Sequence, residues 1–273
     1  RILDQADFDA LQRELKRALP EIAIDASGLH VLRRPTNPHL AVGTNLTSLH
    51  REPSFLAEQL TQLVNGAVVE ILLEEGRWSF IRQSDGYLGW TYRPYLTALP
   101  VPPHTHLLVS PLEQLLSEPR AGSAILTRVL GGTALHVSGH SADWVEVELA
   151  GGARGWLPET GLRSLAHLPA APEQRRAQII FDAARLTGVP YLWGGSTANG
   201  IDCSGLAQLA HRWLGLTIPR DADMQCAAGR PVQPPYHPGD LLFFGEQGEK
   251  RSITHVAISM GGWQIIHSSR SRN

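Results

Sequence analysis

Between residues 68 and 157 the chain carries the same short phrase twice. Val68-Val69-Glu70-Ile71-Leu72-Leu73 is followed by Arg77-Trp78-Ser79-Phe80-Ile81, and then by Tyr87-Leu88-Gly89-Trp90. Thr133-Ala134-Leu135-His136-Val137 is followed by Asp143-Trp144-Val145-Glu146-Val147, and then by Ala153-Arg154-Gly155-Trp156-Leu157. Each copy reads as an apolar strand, a tryptophan-led alternating strand, a turn and a Gly-Trp strand. A repeat at this spacing means two copies of one small module. With helical periodicity nearly absent from it, a small β-barrel is the solution that buries one face of each strand.

Other patterns place these modules within the chain. In residues 7–19, Phe8, Leu11, Leu15 and Leu19 fall on one helical face, and Pro20 ends the run, so a short packing helix is expected in residues 1–23. The first barrel is expected over 24–100, with Pro100, Pro102 and Pro103 as a linker, and the second over 104–167. Pro169 and Pro172 mark a second linker. A third, α/β module then runs over 173–273, opened by a helix with Ile179, Ile180, Ala183, Ala184 and Leu186 on its apolar face and stopped by Gly188 and Pro190. The whole is expected to be α+β.

The bulk numbers narrow the function. Apolar residues make up 42% and charged residues 18%, the balance of a folded globular chain. Net charge is −2, with no Lys/Arg block, which argues against a nucleic-acid footprint. No apolar run reaches the roughly 18 residues of a membrane span. The only cysteines, Cys203 and Cys226, are too few for a disulfide scaffold, although one bridge between them is open. No cysteine/histidine spacing suggests a zinc site, so neither metal nor other cofactor is expected.

The chemistry concentrates in the third module. Tyr191-Leu192-Trp193-Gly194-Gly195 and Gly200-Ile201-Asp202-Cys203-Ser204-Gly205-Leu206 form a glycine-rich approach to a helical run over 207–214. Cys203 therefore sits where a loop becomes a helix N-terminus. The positive end of the helix dipole favours a thiolate there, and free backbone N–H groups can hold an oxyanion. On these residues alone a buried structural cysteine stays open. The histidines favour the nucleophile. Ser252-Ile253-Thr254-His255-Val256-Ala257-Ile258-Ser259 and Trp263-Gln264-Ile265-Ile266-His267-Ser268 read as strands joined by a Gly261-Gly262 hairpin turn, which brings His255 and His267 together. A cysteine and histidine oriented by a third polar group is the general form of an activated thiol. Asp240 reads as a turn residue, Cys226 as a small packing residue and His211 as a surface helix residue.

These motifs, together with Pro238-Gly239-Asp240-Leu241-Leu242-Phe243-Phe244, resemble in order and spacing the NlpC-type cell-wall peptidase family, which has a papain-like fold. The Gly-Trp strands resemble bacterial SH3-like domains. The resemblance implies Cys203 as nucleophile, His255 as base, His267 as the group orienting it, and Tyr191 as an oxyanion donor. It also implies Asp202 and Ser204 as substrate contacts beside the nucleophile. Barrels followed by such a peptidase resemble the γ-D-glutamyl-L-diamino-acid endopeptidases, in which the first barrel walls the cleft so that only murein peptides with a free N-terminal L-Ala enter. Burying that ammonium requires a carboxylate partner. Asp202 is one candidate, and Glu52, with Tyr87, looks similar to the pocket positions contributed by the barrel.

The chain departs from the subgroup in places. Gly66-Ala67 stands where relatives often carry a glutamate after the glycine, and Ala222 where a relative can offer a hydroxyl. The chain also stops soon after His267, where family domains generally continue with more sheet. A thiol acyltransferase or amidase, and a non-catalytic wall-binding protein, are the competing readings. A single long chain with its own cleft suggests a monomer. No leader peptide is visible, but the chain begins at Arg1, and a leader removed upstream would fit it equally. The compartment, bacterial cytoplasm or cell envelope, is left open.

Overall fold

The computed structural model describes residues 1–98, 103–246 and 252–270. The expected linker residues Pro100 and Pro102, and the boundaries set at 100 and 273, lie outside the described residues. Helix α1 (Gln5–Ala18) opens the chain, with the Asp4 side chain accepting from the Asp7 N–H as its cap. It buries none of its residues, so its apolar stripe does not act as the packing face expected from its spacing.

Two barrels follow. The first contains β1 (His39–Val42), β2 (Leu46–His50), β3 (Gln59–Val64), β4 (Val68–Glu75), β5 (Trp78–Arg82), β6 (Leu88–Tyr92) and β7 (Leu96–Thr97). The second contains β8 (His106–Leu108), β9 (Leu112–Leu116), β10 (Ile125–Leu130), β11 (Ala134–Ser141), β12 (Trp144–Glu148), β13 (Arg154–Pro158) and β14 (Leu162–Ser164). Strand order is β3-β2-β6-β5-β4-β1-β7 in the first and β10-β9-β13-β12-β11-β8-β14 in the second. Position for position this is one topology, as the repeated phrase implies.

Strand parity decides what each core contains. Ser79 and Ile81 point inward from β5, and Val145 and Val147 from β12, so Trp78 and Trp144 stand on the other face. The cores are aliphatic, built on Leu49, Ile71 and Ile81 in one barrel and on Leu115, Leu135 and Leu157 in the other. Of the repeat's tryptophans, Trp90 alone is buried.

The third module contains α2 (Pro172–Ala184), β15 (Ser196–Thr197), β16 (Gly200–Ile201), α3 (Cys203–Arg212), α4 (Ala222–Ala228), β17 (Leu241–Glu246), β18 (Ser252–Gly261) and β19 (Gln264–Ile266). Strands β17, β18 and β19 form an antiparallel sheet in that order. Helix α3 is the central element, with every residue from Ser204 to His211 buried. Its core takes in Leu107 and Val109 of the second barrel alongside Leu206, Leu209, Trp213 and Ile258. Each such side chain taken from water contributes about 1.5–3 kcal/mol. His211, expected at the surface, is therefore buried, with its Nδ1 2.7 Å from the Ala207 carbonyl oxygen.

Polar contacts lock the modules together. Asn65 exchanges two 2.9 Å hydrogen bonds with the backbone of Ala150, joining the barrels. Arg163 of the second barrel pairs with fully buried Asp182 at 2.8 Å. The first barrel docks through β3, where the Gln62 side chain accepts from the Ser196 N–H and the Thr197 hydroxyl at 3.2 and 3.3 Å. Asp240 is more than a turn residue. It is buried, and although burial is the largest influence and raises its carboxyl, Arg176 at 2.6 Å and the His237 N–H together hold it below the ordinary range. No helix among the described residues is long and apolar enough to cross a membrane.

Candidate active site

Cys203 is the first residue of α3. Asp202 before it is the N-cap, with extended backbone at φ −94° and ψ 179°, and its Oδ1 accepts the Gly205 N–H at 2.7 Å. The loop that delivers Cys203 is pressed against the first barrel. Gly194 has φ +72°, and a Cβ there would sit 2.6 Å from the Gln59 carbonyl oxygen, so both the conformation and the contact demand glycine.

The Cys203 sulfur meets the backbone N–H groups of Val256 and Ser204. Burial is the largest influence on the thiol and pushes it above its ordinary range, with the Asp202 charge adding to it. The two N–H groups and Arg220 oppose this without overcoming it. Strand β18 passes directly over the start of α3, since Val256 follows His255.

The β18–β19 register pairs Ile258 with Ile266, which carries His267 alongside His255. His255 Nε2 lies 2.8 Å from His267 Nδ1, with the rings edge to face. The nitrogen of His255 left for a thiol is thus Nδ1. Burial first, and His267 second, hold the His255 imidazole below its ordinary value, so it is neutral at neutral pH.

Cys203, Tyr191, Asp202, Ser204 and Tyr87 line one cleft of about 410 Å³, bounded by Ile253 and Thr254 just before His255. Burial pushes the Tyr191 phenol up, so it stays protonated and able to donate. The Arg270 guanidinium lies 5.5 Å over the Tyr191 ring and 5.5 Å over that of Trp193.

One expectation is corrected here. Glu52 is exposed and outside the cleft lining, and the carboxylate that its loop does place there belongs to Glu58. Glu58 pairs with Arg51 at 2.7 Å and accepts from Trp193 Nε1 at 3.0 Å. Asp202 lines the cleft with its carboxylate already in an ion pair. Arg220 Nη2 lies 2.6 Å from its Oδ2 and Nη1 3.0 Å from its Oδ1, and the Gly194 N–H fills Oδ2 further at 2.9 Å.

Arg220 and Asp221 are the residues that sequence reasoning passed over. Arg220 is 2% exposed, and besides Asp202 it donates to Ser204 Oγ at 2.7 Å and to Thr61 Oγ1 of the first barrel at 2.7 Å. Asp221 occupies the N-cap position of α4 but makes no cap hydrogen bond. Its Oδ2 instead accepts the Tyr87 hydroxyl at 2.9 Å. Among the described residues it forms no ion pair, and burial pushes its carboxyl up against the opposing pull of Tyr87 and Arg220. An aspartate opening a short helix after Pro219-Arg220 was the available signal.

Each of the three modules matches a known family. Residues 188–273 match the NlpC/P60 family, and residues 44–97 and 111–163 each match a bacterial SH3 domain family. A gamma-D-glutamyl-L-lysine dipeptidyl-peptidase of Bacillus subtilis (strain 168) is 30% identical over 223 residues, covering 77% of this chain and 72% of that protein. Dipeptidyl-peptidase 6 of Lysinibacillus sphaericus is 29% identical over 244 residues, covering 84% of this chain and 86% of that protein. The crystal structure of an NlpC/P60 family protein from Bacillus cereus superimposes with a TM-score of 0.76 at 23% identity, covering 86% of this chain and 92% of that one, a likeness of fold.

Proposed function

This chain belongs to the NlpC/P60 family, and from that premise we propose that it is a cysteine peptidase cutting the γ-D-glutamyl–L-diamino-acid bond of murein peptides that carry a free N-terminal L-Ala. The observation that supports the substrate most is Asp221. It is a cleft carboxylate outside any described ion pair, held by Tyr87 from a barrel that forms one wall of the cleft that holds Cys203. A free ammonium entering the cleft beside Asp221 meets a charge there, whereas an acylated nitrogen would leave that charge unpaired.

The chemistry follows from the protonation states. Thiol and imidazole are both neutral at rest, because burial raises one pKa and lowers the other. His255 takes the Cys203 proton as the sulfur attacks the γ-glutamyl carbonyl carbon. The developing oxyanion is met by the Tyr191 hydroxyl and by N–H groups at the start of α3. His255 then protonates the departing amine, which leaves a thioester on Cys203. Water, deprotonated by His255, hydrolyses it and restores the thiol. His267 keeps the imidazole in the orientation and tautomer this sequence needs.

Incubation with L-Ala-γ-D-Glu-meso-diaminopimelate and with L-Ala-γ-D-Glu-L-Lys, followed by mass, tests the reading. It predicts release of L-Ala-D-Glu from at least one of them, and none from Cys203→Ala. No cleavage of either peptide by a protein whose Cys203 is readily alkylated would overturn the peptidase reading in favour of an acyltransferase.

A further inference from the structure

Away from the cleft, the two barrels and the third module close around a second cavity of about 320 Å³. Its walls are largely apolar, with Leu63 and Ala67 from the first barrel, Leu107 and Ala134 from the second, and Ile218 from the third module. Two polar groups in it lack acceptors. Gln83 is 7% exposed, and its Nε2 is buried with no hydrogen-bond partner among the described residues. Arg212, at the last turn of α3, lays its stem along Gly132, where a Cβ would sit 3.3 Å from its Cδ. Its guanidinium feels the Asp85 charge but makes no described hydrogen bond or ion pair.

Neither Asp85 nor His104 supplies what is missing. Asp85 is engaged by the Tyr87 N–H at 3.0 Å and by Gln208 Nε2 at 3.2 Å. His104 is half-buried, and burial followed by His136 holds it in its neutral form. A site with two unmet donors, one of them cationic, and apolar walls is complementary to a single carboxylate on an apolar stem. Asp85 in the lining disfavours a doubly charged anion. The volume falls at the small end of ligand pockets, which begin at roughly 300 Å³.

We propose that this three-module junction binds a small carboxylate with a short apolar stem, its head held between Arg212 and Gln83. The site is separate from the catalytic cleft and does not depend on the peptidase reading. The two share one turn, since Asp85 holds the backbone of Tyr87.

Isothermal titration of the full chain with sodium hexanoate, and separately with hexan-1-ol, tests this. Hexanoate should bind saturably at one site, and hexanol more weakly by about tenfold or more, the worth of one charge-assisted hydrogen bond. Arg212→Gln and Gln83→Leu should each weaken hexanoate by a comparable factor and leave hexanol unchanged. Two variants are used so that a folding defect in one leaves the other to decide. Protein alkylated at Cys203 should bind hexanoate as before. The absence of saturable binding would mean the cavity holds only water. Equal affinity for hexanol, undiminished affinity in both variants, or loss of binding on alkylation would likewise overturn the proposal.

Discussion

The Tyr87 hydroxyl donates to Asp221 Oδ2 across 2.9 Å, a bond between the first barrel and the third module inside the catalytic cleft. It explains why Asp221 begins α4 without capping it. Asp221→Asn keeps the shape and removes the charge, and Tyr87→Phe keeps the ring and removes the donor. For a free-amine peptide, Asp221→Asn should raise KM by on the order of tenfold to a hundredfold, the range for a hydrogen bond to a charged group, with kcat little changed. Tyr87→Phe should show a smaller change in the same direction. Steady-state kinetics separate this from a fall in kcat at constant KM, which would place Asp221 in the chemistry instead.

Arg220 and Asp202, the residue before Cys203, form a buried pair, with Thr61 tying the same arginine to the barrel. Removing one partner strands the other charge away from water. Arg220→Ala and Asp202→Ala should each lower stability by about 3–5 kcal/mol, read from urea unfolding midpoints. The double variant should cost less than the sum of the two. A loss near zero for Arg220→Ala would show that the pair does not hold the cleft together.

The pH dependence follows from the signs of the shifts. In the mechanism proposed above His255 is the base, so activity needs its neutral form. With its pKa lowered by burial and by His267, the acid limb of kcat/KM should lie below the ordinary histidine value. His267→Ala removes one of the two influences lowering it, so the acid limb should move to higher pH, with a greater loss at pH 6 than at pH 8. Alkylation of Cys203 by iodoacetamide follows the thiolate. With the thiol raised by burial, its rate should climb through a midpoint above the ordinary cysteine range. A rate already maximal at pH 6 would mean instead a resting thiolate–imidazolium pair.

Much of this arrangement was legible in the residues. The repeated Gly-Trp phrase gave two barrels because period-2 alternation and turn glycines are local signals, and the shared strand order reflects them. His255 and His267 were legible as neighbours because a hairpin turn at Gly261-Gly262 sets the register between their strands. What escaped was tertiary. His211 was expected outward on α3, but the helix is buried from Ser204 to His211 and Leu107 and Val109 of the second barrel join its core. Glu52 and Glu58 lie on one irregular loop, where no periodicity shows which carboxylate faces inward. Arg220 has no pattern at all, since its partners Asp202, Ser204 and Thr61 meet only once the modules dock.

Comparing kcat/KM for L-Ala-γ-D-Glu-L-Lys with that for the same peptide acetylated at its N-terminus tests the central claim most directly. A thiol peptidase whose barrel-walled cleft reads a free amine through Asp221 should prefer the free peptide by about a hundredfold or more, the cost of burying an unpaired charge. It should lose most of that preference in Asp221→Asn. Equal cleavage of the two peptides by the unaltered protein would contradict the account, leaving a cysteine peptidase whose first barrel does not select its substrate.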